Sequence, residues 1–119
     1  MTTVFVYGTL KRGLELSGLL ADQSFLGMAH TTPHFRMASL DGGSYPGLYP
    51  SPGHGLSVEG ELWSVSPDCL AELDRVEGVD QGLYSRAAIS LLPPNESLVA
   101  QAYHYLGKIS GLPDAGSRW

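Results

Sequence analysis

The chain has 119 residues, 43% hydrophobic and 16% charged, with a net charge of −5. That fits one folded domain of ordinary size, too small for two cores and too apolar to be disordered. The acidic balance lacks the electrostatic drive for nucleic-acid binding, no apolar run reaches the roughly 20 residues of a membrane span, and one cysteine, Cys69, allows neither an intrachain disulfide nor a cysteine zinc cluster.

Val4 to Tyr7 is a run of β-branched and aromatic residues, predicted to be a strand covered on both faces. No basic-then-apolar leader precedes it, so a soluble, cytoplasmic protein is expected. Gly8 follows, free to adopt backbone angles closed to other residues. Amides at such a strand end, unused by the ladder, can cradle an anionic oxygen. Thr9 adds a hydroxyl, and Lys11 and Arg12 add positive charge. Neither the Walker spacing nor a Gly-x-Gly-x-x-Gly pattern is present, so this is no phosphate loop. A plain strand-to-loop turn reads the same way.

Leucines 16, 19 and 20 predict a short helix or helical turns over 14–22. Phe25–Thr31 and His34–Leu40 read as extended segments, followed by a turn at Asp41-Gly42-Gly43. Residues 45–57 hold three prolines and three glycines and are expected to form a loop, ordered by Tyr45 and Tyr49. Val58–Val65 is the clearest later strand. Ser66 and Pro67 then cap and start a helix predicted to reach Glu77, with Gly78 as its left-handed terminator. Leu83–Leu92 and Leu98–Leu106 are two further strands joined through Pro93-Pro94-Asn95-Glu96. The tail from Gly107 is expected to be loosely held. Many short strands with about two flanking helices give an α+β class, a small mixed β-barrel built as a single domain over 1–119. The four histidines are dispersed and Pro33 separates His30 from His34, so no metal site is expected.

Within the predicted helix, Leu70, Leu73 and Glu77 share one face, while Asp68, Glu72 and Arg75 project elsewhere. Glu77 is thereby led inward, at the helix end whose dipole disfavours an anion. Burial and the dipole both raise a carboxylate's pKa, which suits a general base near neutrality. The alternative is a surface glutamate paired with Arg75 or Arg86.

Tyr7-Gly8-Thr9-Leu10 after a short first strand resembles the signature of the γ-glutamylcyclotransferase-like superfamily, above all its short γ-glutamylamine cyclotransferase and AIG2-like members. The likeness continues, in order, through Tyr45-Pro46-Gly47-Leu48, Val58-Glu59-Gly60-Glu61-Leu62, Leu73-Asp74-Arg75-Val76-Glu77-Gly78 with Tyr84-Ser85-Arg86, and Tyr103-His104-Tyr105. The resemblance implies a small β-barrel with a cavity at its strand ends, and a cofactor-free, metal-free enzyme of acyltransferase or lyase type. The α-amine of a γ-glutamyl amine or dipeptide attacks its own γ-carbonyl, giving 5-oxoproline and a free amine. It implies that Tyr7, Gly8, Thr9 and Leu10 bind the γ-glutamyl group and that Glu77 is catalytic. Tyr45, Tyr84 and Tyr103 are candidates either to line the cavity or to pack in the aromatic core, and Arg86 either to neutralise a carboxylate or to be a surface strand residue. Leu14-Glu15-Leu16-Ser17 departs from relatives, which often carry Asn or His there. A noncatalytic module binding an amino-acid-like ligand and a lyase for another γ-glutamyl compound are the competing readings. The expected partner is a small molecule, with no nucleic acid or membrane; the oligomeric state is unknown from sequence.

Overall fold

A computed structural model describes residues 1–119. Eight strands form one mixed sheet: β1 (Thr2–Val6), β2 (Ser24–His30), β3 (Phe35–Leu40), β4 (Tyr45–Pro50), β5 (Glu59–Val65), β6 (Tyr84–Ile89), β7 (Ala100–Tyr105) and β8 (Asp114–Gly116). They run in the order β2-β5-β1-β7-β4-β3-β8, with β6 paired to the other edge of β7. The sheet curls into a half-barrel. Thr31 bridges Leu91, and the Leu92 N–H donates to the His30 carbonyl at 2.9 Å, drawing the end of β2 towards the chain beyond β6.

β1 is the axis of this arrangement, as its composition predicts. Val4 and Val6 pack with Leu20, Val65 and Leu73, whereas Phe5 and Tyr7 face Met37, Leu48 and Leu62 on the other side. Each face buries a β-branched or aromatic pair, so alternation places apolar atoms in both halves of the core. The single α-helix, α1 (Pro67–Val76), starts on the Ser66 side chain, which accepts from the Cys69 N–H at 3.1 Å, and has Glu77 as its C-cap. Gly78 follows at φ 67°, the left-handed conformation expected of a helix terminator.

Of the short helix or helical turns expected over 14–22, the structure has the turns, a 3-10 helix at Ser17–Leu20, so a single α-helix flanks the sheet; two other expectations are corrected. The anchor of the 3-10 turn is Leu20, fully buried. Residues 45–50 form β4 and not a loop, antiparallel to β3 from Leu40 opposite Tyr45 to Phe35 opposite Pro50. The glycine there serves packing: a Cβ on Gly47 would lie 2.8 Å from the Tyr105 side chain. The tail is fastened, not loose. Asp114–Gly116 pairs with β3, the Ser39 N–H donates to the Pro113 carbonyl at 2.8 Å, and the Glu59 N–H donates to the Ser117 carbonyl at 2.8 Å. No helix is long and apolar enough to cross a membrane.

β7 creates the opening on which function turns. β6 pairs with it along its whole length, so its other edge must serve two strands. β1 pairs there in parallel at Ala100 and Gln101, and β4 at His104. The sheet splits between the end of β1 and the start of β4. The Tyr7 phenol fills the split, donating to the Tyr103 carbonyl at 2.6 Å and accepting the Leu48 N–H at 3.1 Å.

Candidate active site

A cavity of 340 Å³ lies at this split, between the β1 exit, the start of β4, the end of α1 and the walls formed by β6 and β7. Its size suits a small ligand. The β1 exit supplies the first side. Gly8 is required there by close approach, since a Cβ would lie 2.7 Å from Cγ of Pro46. The Gly8 carbonyl accepts the Lys11 N–H at 3.0 Å and the Thr9 carbonyl accepts the Leu16 N–H at 2.9 Å, which folds the loop back on itself. The N–H groups of Gly8, Thr9 and Leu10 donate to no protein acceptor. Clustered amides without protein acceptors can cradle an anion.

Lys11 and Arg12 do not contribute the positive charge expected of them, because neither lines the cavity. Arg12 turns to the buried Glu61 carboxylate, which accepts its backbone N–H at 3.0 Å and its Nε at 3.1 Å. Its guanidinium also lies 3.8 Å from the centre of the Phe25 ring. No lysine, arginine or histidine lines the cavity.

Glu77, at the end of α1, lines the same cavity. Neither arginine that could have held it at the surface is free. Arg75 pairs with Glu72, and Arg86 pairs with Asp74. Glu77 forms no ion pair and its carboxylate accepts no hydrogen bond from the protein. Burial alone pushes its pKa up to about 7. The carboxylate therefore changes charge near neutrality inside a pocket without a counter-ion.

Tyr7, Tyr84 and Tyr103 form the walls around it, each with its hydroxyl committed. Tyr84 donates to the Pro46 carbonyl at 2.8 Å, and Tyr103 donates to Oδ1 of Asp74 at 2.7 Å. Burial raises all three phenols, and the nearby Glu77 charge adds to it. They stay neutral and hold shape. Tyr45 also lines the cavity, half-buried at its mouth, and Glu15 stands at the rim.

Tyr7, Gly8, Thr9, Leu10, Tyr45, Glu77, Tyr84 and Tyr103 are thus brought to one cavity. Arg86 is not. Its guanidinium is spent on Asp74, with Nε 2.8 Å from Oδ1 and Nη2 3.1 Å from Oδ2, so it neutralises a carboxylate of this chain and none in the cavity. Sequence reasoning overlooked Asp74 and Pro46. Both sit within the motif segments that carry the family resemblance, which is the signal that could have marked them.

The profile described as "Gamma-glutamyl cyclotransferase, AIG2-like" matches residues 4–119. The gamma-glutamylaminecyclotransferase of Rattus norvegicus is 35% identical over 96 residues, covering 76% of this chain and 64% of that one. A protein of Arabidopsis thaliana that carries the gamma-glutamylcyclotransferase name provisionally is 41% identical over 98 residues, covering 76% of this chain and 51% of its own. The chain therefore spans between half and two thirds of these relatives' length. Among solved structures, the crystal structure of an AIG2-like protein from Mus musculus superimposes with a TM-score of 0.83 at 30% identity, covering 100% of this chain and 88% of that one.

Proposed function

The chain belongs to the AIG2-like gamma-glutamyl cyclotransferase family, and we propose that it converts a γ-glutamyl amine or dipeptide into 5-oxoproline and a free amine, with Glu77 as the proton carrier. One observation carries the reading: the Glu77 carboxylate, with a pKa raised to about 7, shares a cavity with the unspent amides of Gly8 to Leu10.

The substrate's α-amine enters as an ammonium and cannot attack until it loses a proton. Glu77 accepts that proton. The amine nitrogen then bonds to the γ-carbonyl carbon, closing a five-membered ring and moving the carbonyl π electrons onto oxygen. Glu77 returns its proton to the amide nitrogen, the C–N bond breaks and the carbonyl reforms, and the departing amine takes up the second proton that the ring nitrogen sheds, leaving as an ammonium and the ring as a neutral lactam. Nucleophile and electrophile belong to one molecule, so the protein's work is to hold the ring-closing conformer and to stabilise charge. With no cation on the cavity wall, the Gly8–Leu10 amides are the donors for the substrate α-carboxylate or for the oxyanion. The aromatic walls exclude water and favour folding of the γ-glutamyl chain. The chemistry calls for neither metal nor cofactor, and the substrate is the partner invoked.

The test is incubation of the purified protein with a panel of γ-glutamyl amines and dipeptides, reading 5-oxoproline. Release by wild type and its loss in Glu77→Gln support the reading; equal release by both rejects Glu77 as the base. Ligand binding without release from any compound on the panel points to a binding module.

A further inference from the structure

Glu77 has no partner of its own, so its position is inherited from the end of α1. Its N–H donates to the Leu73 carbonyl at 2.9 Å, and the chain turns away at Gly78. What fastens that end is Asp74, one turn earlier. Asp74 Oδ1 accepts from Arg86 Nε at 2.8 Å and from the Tyr103 hydroxyl at 2.7 Å, and Oδ2 accepts from Arg86 Nη2 at 3.1 Å. Arg86 in turn donates to Oε1 of Gln101. The helix end is thereby tied to β6 and β7 by a two-pronged ion pair and a phenol. The tie runs on through the cavity wall, because the Tyr103 carbonyl accepts the Tyr7 hydroxyl, whose oxygen accepts the Leu48 N–H.

We propose that Asp74 and Arg86 act together as positioning residues that fix Glu77 in the cavity while cancelling the charge that either one alone would impose on it. The proposal rests on Glu77 being the base described above. The groups facing Glu77 are the phenols of Tyr7 on the β1 exit, Tyr84 on β6 and Tyr103 on β7, with Tyr45 on β4 and Glu15 at the rim. On its own helix, Arg75 is spent on Glu72, and Asp80 lies exposed on the turn beyond. Asp74 and Arg86 are the ion pair held behind that wall, on the Tyr103 hydroxyl. Residues three apart on a helix have Cβ atoms about 5–6 Å apart, close enough for a lone charge to be felt. Removing one member exposes the other. A lone Arg86 cation favours the ionised Glu77, and a lone Asp74 anion disfavours it.

The experiment uses the whole chain with Asp74→Asn, Arg86→Gln and the double substitution, each checked for folding by its Tm. Titration of the Glu77 carboxyl by 13C NMR is expected to move down by about half a pH unit or more in Asp74→Asn and up by a similar amount in Arg86→Gln. In the double variant it returns to the wild-type position, and the acid limb of kcat/KM for 5-oxoproline release follows in each case. Purely structural damage has no reason to produce opposite signs or their cancellation. Shifts of one sign in both single variants, or none in either, overturn the proposal. If one single variant does not fold, the other must still shift in its stated direction while the double matches wild type. The NMR reading needs no turnover: carboxyl shifts as described without 5-oxoproline from wild type sink the cyclotransferase reading and leave the charge balance standing, whereas turnover without the opposed shifts does the reverse.

Discussion

Replacing Glu77 with glutamine removes one ionisable group and keeps its shape, so the change can be read as a function of pH. The carboxyl titrates at about 7 in the folded chain against an ordinary value of 4.5. Because the folded value is the higher one, the folded state keeps its proton longer than the unfolded chain. Below pH 4.5 both states are protonated and the carboxyl costs nothing. Between 4.5 and about 7 stability falls as pH rises, and above that window the cost is complete. At about 1.4 kcal/mol per pH unit, the full cost of charging Glu77 is about 3 kcal/mol. Urea unfolding at pH 4 and pH 8 is the assay. Glu77→Gln should match wild type at pH 4 and exceed it by about 2–3 kcal/mol at pH 8, while 5-oxoproline release falls by about 10²–10⁴-fold, the usual worth of a positioned base. Parallel stability curves for the two proteins across this range would refute the claim that Glu77 is held in a desolvating cavity.

The same site gives three further expectations, and a residue outside it gives a control. In wild type, kcat/KM for 5-oxoproline release should rise with pH through an inflection near 7, where Glu77 loses its proton; a flat profile from pH 5 to 8 contradicts that assignment. Gly8→Ala puts a methyl 2.7 Å from the Pro46 ring, so the β1 exit or β4 must shift; we expect a loss of about 1–3 kcal/mol in thermal unfolding and at least tenfold in turnover. Tyr7→Phe leaves the buried Tyr103 carbonyl and Leu48 N–H without their shared partner, at a cost of about 1–3 kcal/mol by urea denaturation. Arg75→Ala is the control: its pair with Glu72 is exposed and screened by solvent, so stability and turnover should both stay at the wild-type level.

Much of this fold was legible because some segments carry their own instructions. Val4 to Val6 has no polar position and must be buried on both faces, which is where it lies. Ser66-Pro67 starts a helix and Gly78 ends it through capping chemistry that needs only neighbouring residues. The inward turn of Glu77 followed from helical periodicity for the same reason. The loop reading of 45–57 holds over 51–57 and failed over 45–50, because proline and glycine content describes an isolated chain. Once β3 and β7 offer their edges, Tyr45–Pro50 gains a partner on each side, and pairing outweighs composition. The tail misled in the same way, since its strand exists only against β3.

Arg86 shows where reading a site from sequence stops. Its place near the motif made it a candidate for a substrate carboxylate, yet Asp74 lies a helical turn from Glu77 and captures it first. Which anion an arginine meets depends on how α1 settles against β6, a relation between segments separated along the chain. What the sequence alone determined is local: a doubly buried first strand, a glycine at its exit, and a capped helix that carries an acid inward. What tertiary structure decided is where those parts meet. β7 cannot pair with both β1 and β4 over one stretch of edge, so the sheet parts there, amides go unspent, and a cavity opens in front of Glu77.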